Sequence, residues 1–309
     1  MQRGKPLKFV SFFTKLLLVS LLAFGLFKSY DFYQQNKKER SKQKLLDKSN
    51  HEKPFVILIT ASNHSPYCEK NLFSALTQNY SSFRILYIDD ASTDGTFEKA
   101  NALARQFSPR SYEKVTFLRN KVRKGSLACL YDAIHNHCQN HEIVLVVDGA
   151  DFLAHENVLT KLNKVYAKSF TWMTYGNFLD YPSYRQIPMK CRQLSKNVVF
   201  NNSFRTHEMP EVHLKTFYAG LFKLIAKEDL LNYNHQFILE DGTLAYYIPL
   251  LEMAGKHASF INEVLYLHTA KAAFPPPHEY ISYLKKLPKY RRLKTLPFEQ
   301  IPPTISPSA

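Results

Sequence analysis

Two short apolar runs in this chain end abruptly in carboxylates. Ile85-Leu86-Tyr87-Ile88 leads into Asp89-Asp90, and Ile143–Val147 leads into Asp148-Gly149-Ala150-Asp151. In an open α/β sheet a ligand sits outside the carboxyl ends of the strands. Acids placed there suit base N–H groups, ribose hydroxyls and a divalent cation. One acidic strand end is a weak signal; two on successive βα units point to a nucleotide-plus-metal site. Asp94, just ahead of a helical pattern, reads as a helix N-cap. Glu240-Asp241 also heads a helical pattern, where acids are favoured by the helix dipole. The basic pair Arg123-Lys124 lies in a loop before another helix, placed to meet base or phosphate. His64, His155, His257 and His268 are scattered and read as surface or structural residues.

The elements that must position these groups alternate. Phe55–Ile59 reads as a buried strand, followed by a helix from Ser65-Pro66 to about Asn79 with Leu72, Phe73 and Leu76 inward. A strand at Arg84–Ile88 precedes a helix from about Gly95 to Phe107. Val115–Leu118 is a third strand and Ser126–His137 a third helix. Ile143–Val147 is a fourth strand, and Glu156–Ala167 a helix. Trp172–Tyr175 reads as another strand. Such alternation predicts βαβ units and a mostly parallel sheet flanked by helices, an α/β Rossmann-like class. Residues 180–210 show no period and read as a long irregular loop. Leu244, Ile248 and Leu251 mark a helix that Pro249 is expected to bend or delay. Ser259–Ile261 and Val264–Leu267 read as a closing pair of strands.

The net charge of +15 over 309 residues is not carried by this alternating region. Residues 1–53 hold 12 Lys/Arg against 4 Asp/Glu, residues 271–309 hold 7 against 2, and 54–270 is nearly neutral. A nucleic-acid domain carries its positive charge on the folded part, so nucleic acid is not the expected partner. An anionic membrane surface is expected instead. Residues 9–27 are apolar except Ser11, Thr14, Lys15 and Ser20, enough to span a bilayer. A cleaved signal peptide ending near Ala23-Phe24-Gly25 is the alternative. Flanking charge predicts a single-pass membrane protein with its catalytic domain in the cytoplasm. The expected organisation is a basic N-terminus at 1–8, a transmembrane helix at 9–27, a basic stalk at 28–53, a folded domain at 54–270 and a basic, Pro-containing tail at 271–309. The four cysteines, Cys68, Cys129, Cys138 and Cys191, have no metal or disulfide spacing.

Four stretches of residues 54–270 resemble the family 2 glycosyltransferases, nucleotide-sugar enzymes of the GT-A fold. Phe55–Asn63 is similar to the family's first strand and loop. Tyr87–Thr96, reading YIDDASTDGT, matches its VDDGSTDGT-like segment and is the most specific. Val147–Leu153 resembles its acid-rich segment, and Glu240-Asp241 its acceptor-site acids. Asn71–Gln78, Trp172–Gly176 and Val264–Leu267 resemble a bacterial subgroup that includes chlamydial sequences. The resemblance implies a GT-A domain that moves a sugar, with inversion, from a UDP-type donor to an envelope saccharide or lipid-linked acceptor. Asp89 and Asp90 would bind base or ribose, with Arg123 and Lys124 near base or phosphate. Asp148 would meet ribose or the cation, and Asp148 with Asp151 would hold Mn²⁺ or Mg²⁺. Asp241, or Glu240, would take the acceptor's proton.

One position departs from that pattern: Ala150 stands where the family commonly has its metal-ligating acid. Asp148 and Asp151 then share the cation, or metal dependence is lost, or the chain is a catalytically silent, membrane-tethered scaffold that keeps the fold. A nucleotidyltransferase on a similar sheet is a third class. It is disfavoured because the Thr60–Ser65 turn has no glycine to cradle phosphate.

Overall fold

The structure, a computed structural model, describes residues 52–168, 170–185, 191–239, 242–269, 284–287 and 289–296, together with Gln34 and Lys37. The chain divides into two units, Met1–Glu52 and Lys53–Ala309. In the first, Gln34 and Lys37 are helical.

The second unit is built on β1 (Phe55–Ala61), β2 (Phe83–Asp90), β3 (Val115–Asn120) and β4 (Ile143–Asp148), all parallel neighbours. β1 lies between β2 and β4, and Val56 to Ile59 are fully buried, as a central strand covered on both faces requires. The helices between them are α1 (Cys68–Leu76), α2 (Thr96–Phe107), the short α3 (Pro109–Glu113) and α4 (Ser126–His137). β5 (Phe152–Leu153) and α5 (Val158–Tyr166) follow.

Beyond β4 the sheet turns mixed. β6 (Met173–Tyr181), β7 (Lys215–Tyr218) and β8 (Ala258–Thr269) complete the order β3-β2-β1-β4-β7-β6-β8-β5. β7 is antiparallel to both β4 and β6, while β6 and β8 are parallel. The expected mostly parallel sheet therefore holds for β1 to β4 and gives way after them. The region expected to be irregular contains α6 (Lys196–Phe200) and a 3₁₀ turn at Phe204–Thr206; α7 (Ala219–Phe222) follows β7. The expected closing strand pair is one strand, β8. Its polar interruption, Asn262-Glu263, is absorbed by a register shift opposite Gly176–Phe178, and Asn177 Nδ2 donates to Asn262 O at 2.9 Å. α8 (Thr243–Ala254) runs straight through Pro249. Residues Ala245 to Ala254 are all buried, so packing offsets the hydrogen bond that the proline removes.

Residues 284–287 and 289–296 of the tail pack in this unit. Leu284 and Leu296 are buried in the core, and Leu293 N donates to Met253 O. Beneath it lies an ion pair: Arg205 Nε and one terminal nitrogen meet the two oxygens of Glu252 at 2.7 and 2.8 Å. Arg205 also donates to Leu284 O, and Tyr290 N donates to Glu252. Both side chains are almost completely removed from water. Such a pair is held by having every lone pair answered, and removing one partner strands a buried charge.

Among the described residues no helix is long and apolar enough to cross a membrane. That corrects the expectation of a single-pass membrane protein with a cytoplasmic catalytic domain. The segment 9–27 on which it rested lies outside the described residues, as do 1–8, nearly all of 28–51 and 270–283.

Replacing Glu252 by Leu is expected to cost about 3–5 kcal/mol in urea unfolding, and adding Arg205→Met to recover most of that loss. Equal stability of the Glu252→Leu single variant and the parent would show the pair to be idle.

Candidate functional site

The strand ends meet because β2, β1 and β4 are in register. Ala61 pairs with Asp89 and Thr60 with Asp148, so the two acidic ends flank β1 about 10 Å apart. The loop after β1 is laced to the loop after β2. Asn63 N donates to Ser92 Oγ, His64 N to Thr96 Oγ1 and Ser65 N to Asp94 Oδ2. Asp94 also accepts from Thr96 N, two residues on; the N-cap of α2 is Gly95, one residue later than expected. Slight burial opposes ionisation of Asp94, but the hydrogen bonds from Thr96 and Ser65 outweigh it and hold its carboxyl below the usual range.

Asp89 and Asp90 play different parts. Asp90 is committed to the protein: Oδ1 accepts from Asn120 Nδ2 at 2.8 Å and Lys124 N at 2.9 Å, and Oδ2 from Gly125 N at 2.8 Å. It thereby fixes the loop that leads into α4. Gly125 sits at φ +89°, and a Cβ there would lie 2.7 Å from Leu239 Cδ2. Asp89 is fully buried; Oδ2 takes Ser92 N and the Arg119 Nε at 3.4 Å, while Oδ1 has no hydrogen-bond partner. Arg119, the β3 neighbour of Asp89, packs on the Phe97 ring and pairs with Glu98. The basic pair is not gathered in as expected by side chain. Arg123 is exposed, and the Lys124 ammonium pairs with Asp132 at 2.9 Å, which raises its pKa.

At the second strand end the loop Asp148–Asp151 is gripped throughout. Gly149 N donates to Thr60 O, and a Cβ on Gly149 would lie 2.6 Å from both Ala61 Cβ and His64 Nδ1. Asp148 Oδ1 accepts from Ala150 N. Asp151 is buried and turned toward β8: Oδ1 accepts from Thr269 N, and Oδ2 from the Tyr266 hydroxyl and His268 Nδ1. Ala150, at the departing position, is fully buried with its carbonyl on Thr269 Oγ1.

His213 and His268 stack with ring centroids 4.9 Å apart, and Asp151, His213 and His268 bring one ligand atom each to within 4.8 Å of the others. The sequence missed His213 altogether and dismissed His268. Both lie far from Asp151 in the chain, and only the β6–β7–β8 topology joins them. The two imidazoles are driven apart in basicity. Burial, with help from the Lys215 charge, pushes His213 well below its ordinary value. Burial also opposes protonation of His268, but the hydrogen bond and charge of Asp151 outweigh it and raise its pKa.

Beside this cluster an open cavity of ≈ 180 Å³ is lined by Asp148 and Asp151, by His213, Lys215 and His268, and by Gly242-Thr243 at the start of α8. Glu240 and Asp241 lie outside the described residues; the chain that follows them forms part of the cavity wall.

This arrangement, a mixed sheet with acid-tipped parallel strands beside a polar cavity, defines an α/β domain whose strand ends face one open site. The family model described as glycosyltransferase like family 2 matches residues 52–225, more than half of the sequence, and the chain belongs to that family. A putative glycosyltransferase EpsE from Bacillus subtilis is 33% identical over 91 residues, 27% of this chain and 30% of EpsE. The fold matches S. aureus TarS 1-349 in complex with UDP-GlcNAc at a TM-score of 0.53 and 15% identity, covering 75% of this chain and 65% of that one. TarS 1-349 alone matches at 0.50, covering 70% and 60%. The chain thus spans under two thirds of these proteins, and at 15% identity the likeness is one of fold.

In metal-free protein, an NMR pH titration is expected to find His268 titrating above ~6.5 and His213 below it. Stability due to His268 is full below pH ~6.5 and is lost as pH rises through its folded pKa. Stability due to His213 is present above pH ~6.5 and is lost as pH falls toward its folded pKa. Asp151→Asn should bring His268 down; an unmoved His268 would disprove the pairing.

Proposed function

We propose that the chain transfers a sugar from a nucleotide-sugar donor to a saccharide or lipid-linked acceptor, with inversion. The observation that carries this reading is Asp89 Oδ1, a buried carboxylate oxygen with no partner at the end of a parallel strand in a family 2 domain. An unanswered buried acceptor is costly, and a ligand N–H or hydroxyl that reaches it as the loops after β1 and β2 adjust would repay that cost. The donor's base or ribose is the proposed partner, as in a fold whose TarS relative is solved with UDP-GlcNAc. Asp90 serves beside it by holding the Lys124 and Gly125 amides. Asp148, facing the cavity, is proposed at ribose or at a cation's water.

The chemistry is a single displacement. The acceptor oxygen bonds to the anomeric carbon, the bond from that carbon to the diphosphate oxygen breaks, and the negative charge leaves with the nucleotide. The acceptor's proton passes to Asp241, or to Glu240, in this reading. The cavity between β4, β7, α4, α8 and β8 is the proposed acceptor side.

A divalent cation would neutralise the departing diphosphate. Its proposed holders are Asp151, His213 and His268, with Asp148 nearby. A carboxylate with two imidazoles suits a first-row transition ion such as Mn²⁺ over Mg²⁺. His213, kept neutral, is in the ligating form. Asp151 already accepts three hydrogen bonds, so metal on it competes with His268 Nδ1 or Tyr266.

A second reading, a silent relative that binds nucleotide without transfer, is favoured by Ala150 alone. Ala150 is fully buried, with its carbonyl accepting from Thr269 Oγ1, and it offers no carboxylate where the family pattern has one.

Calorimetry with UDP and Mn²⁺, and UDP release from UDP-sugars, separate these readings. Binding is expected, with Asp89→Leu weakening it at least about tenfold, the worth of a lost buried hydrogen bond to charge. Asp241→Asn should keep donor binding and lose transfer. Binding without release in the parent supports the silent relative, and absence of binding by any nucleotide sinks both.

A further inference from the structure

Helix α1 buries polar side chains on its inner face. Asn71 and Ser74 fall three residues apart on one face of the helix, and Gln78 follows just beyond its end. They bond in order to the backbone that follows β4. Asn71 Nδ2 donates to Asp148 O at 2.9 Å and to Asp151 O at 2.7 Å. Ser74 Oγ accepts from Leu153 N at 3.0 Å. Gln78 Nε2 donates to His155 O at 2.9 Å, and its Oε1 accepts from Leu159 N at 3.2 Å. These three side chains thus hold twelve residues of backbone, from the acidic loop to α5.

Asn71 stands apart from the other two. It is fully buried, both of its N–H groups go to the two ends of one four-residue loop, and its own Oδ1 has no hydrogen-bond partner. The reverse orientation of the amide would set Oδ1 against two carbonyl oxygens, so the network fixes the orientation. A buried amide oxygen left unanswered costs stability that a leucine of similar volume would not. A residue that gives up that stability is placed there for its two donors. The loop it grips points Asp148 into the cavity and Asp151 at His268, while Tyr266 and Thr269 hold the Asp151 carboxylate from the far side.

We infer that Asn71 is a positioning residue of the nucleotide-sugar site. It fixes the carbonyls of Asp148 and Asp151, and through them the direction of both carboxylates. This rests on the functional reading above for what the carboxylates bind, and on geometry alone for what Asn71 holds.

The test compares Asn71→Leu with Gln78→Leu in the full chain, since both remove side-chain hydrogen bonds to the backbone that follows β4. UDP affinity in the presence of Mn²⁺ should fall about tenfold or more in Asn71→Leu, the usual effect of losing an outer support of a metal site. It should stay within about twofold of the parent in Gln78→Leu, at comparable Tm. On turnover, Asn71→Leu should lower kcat as well as raise KM. Parent-like affinity in Asn71→Leu, or losses in both variants that merely track Tm, overturns the inference. If Asn71→Leu does not fold, Asn71→Ser, too short to reach both carbonyls, is held to the same criteria. Amide hydrogen exchange at Gly149–Asp151 keeps the inference separate from the functional reading. It should quicken at least about tenfold in Asn71→Leu and not in Gln78→Leu, whether or not UDP binds. Unchanged exchange overturns the inference; parent protein that fails to bind any nucleotide overturns only the functional reading.

Discussion

The parallel pairing of β2, β1 and β4 sets the geometry on which the rest of the site depends. Because side chains alternate along a strand, a slip of one residue would turn every inward group outward. In β1, covered on both faces, such a slip would instead carry each side chain from Val56 to Ile59 into packing fitted to its neighbour. With that register fixed, Asp89 lies opposite Ala61 and Asp148 opposite Thr60. The catalytic face is then assembled by loops that have few choices left. The lacing of Asn63, His64 and Ser65 to Ser92, Thr96 and Asp94 turns two adjacent loops into one rigid rim.

Much of the acidic motif holds that rim together. Asp94 ties Ser65 to Thr96, and Asp90 gathers Asn120, Lys124 and Gly125. Asp151 is bound into β8. Among the motif carboxylates, Asp89 keeps an oxygen without a partner and Asp148 faces the cavity. A motif of this kind is therefore mostly scaffold around a small number of reactive atoms. Spacing in the sequence located the motif, but not the division of labour within it.

The legible part of the chain was the part held by local contacts. β1 through β4 and their helices announce themselves by apolar runs and period, and Asp89, Asp90 and Asp148 follow from where those runs stop. The second half is held by contacts distant in sequence. β8 was read as two strands because Asn262-Glu263 looks like a turn, and its partner Asn177 lies 85 residues away. In the tail, lysines and arginines mask Leu284 and Leu296, which are buried in the core, and Leu293, whose N–H reaches Met253 O of α8. His213 and His268 had no signal as a pair, since neither lies near Asp151 in the chain and no spacing rule links them. Pro249 was overweighted: a helix buried on all sides keeps its form by packing, whatever its local propensity.

The central claim is that Asp89 Oδ1 is the donor's contact point, in a rim that Asp90 keeps rigid. A crystal structure of the full chain with UDP and Mn²⁺ tests it most directly. The account predicts a base N–H or ribose hydroxyl within hydrogen-bond distance of Asp89 Oδ1, with Asp90 still holding the Lys124 and Gly125 amides. Nucleotide bound elsewhere, with Asp89 Oδ1 still buried and unanswered, would contradict it.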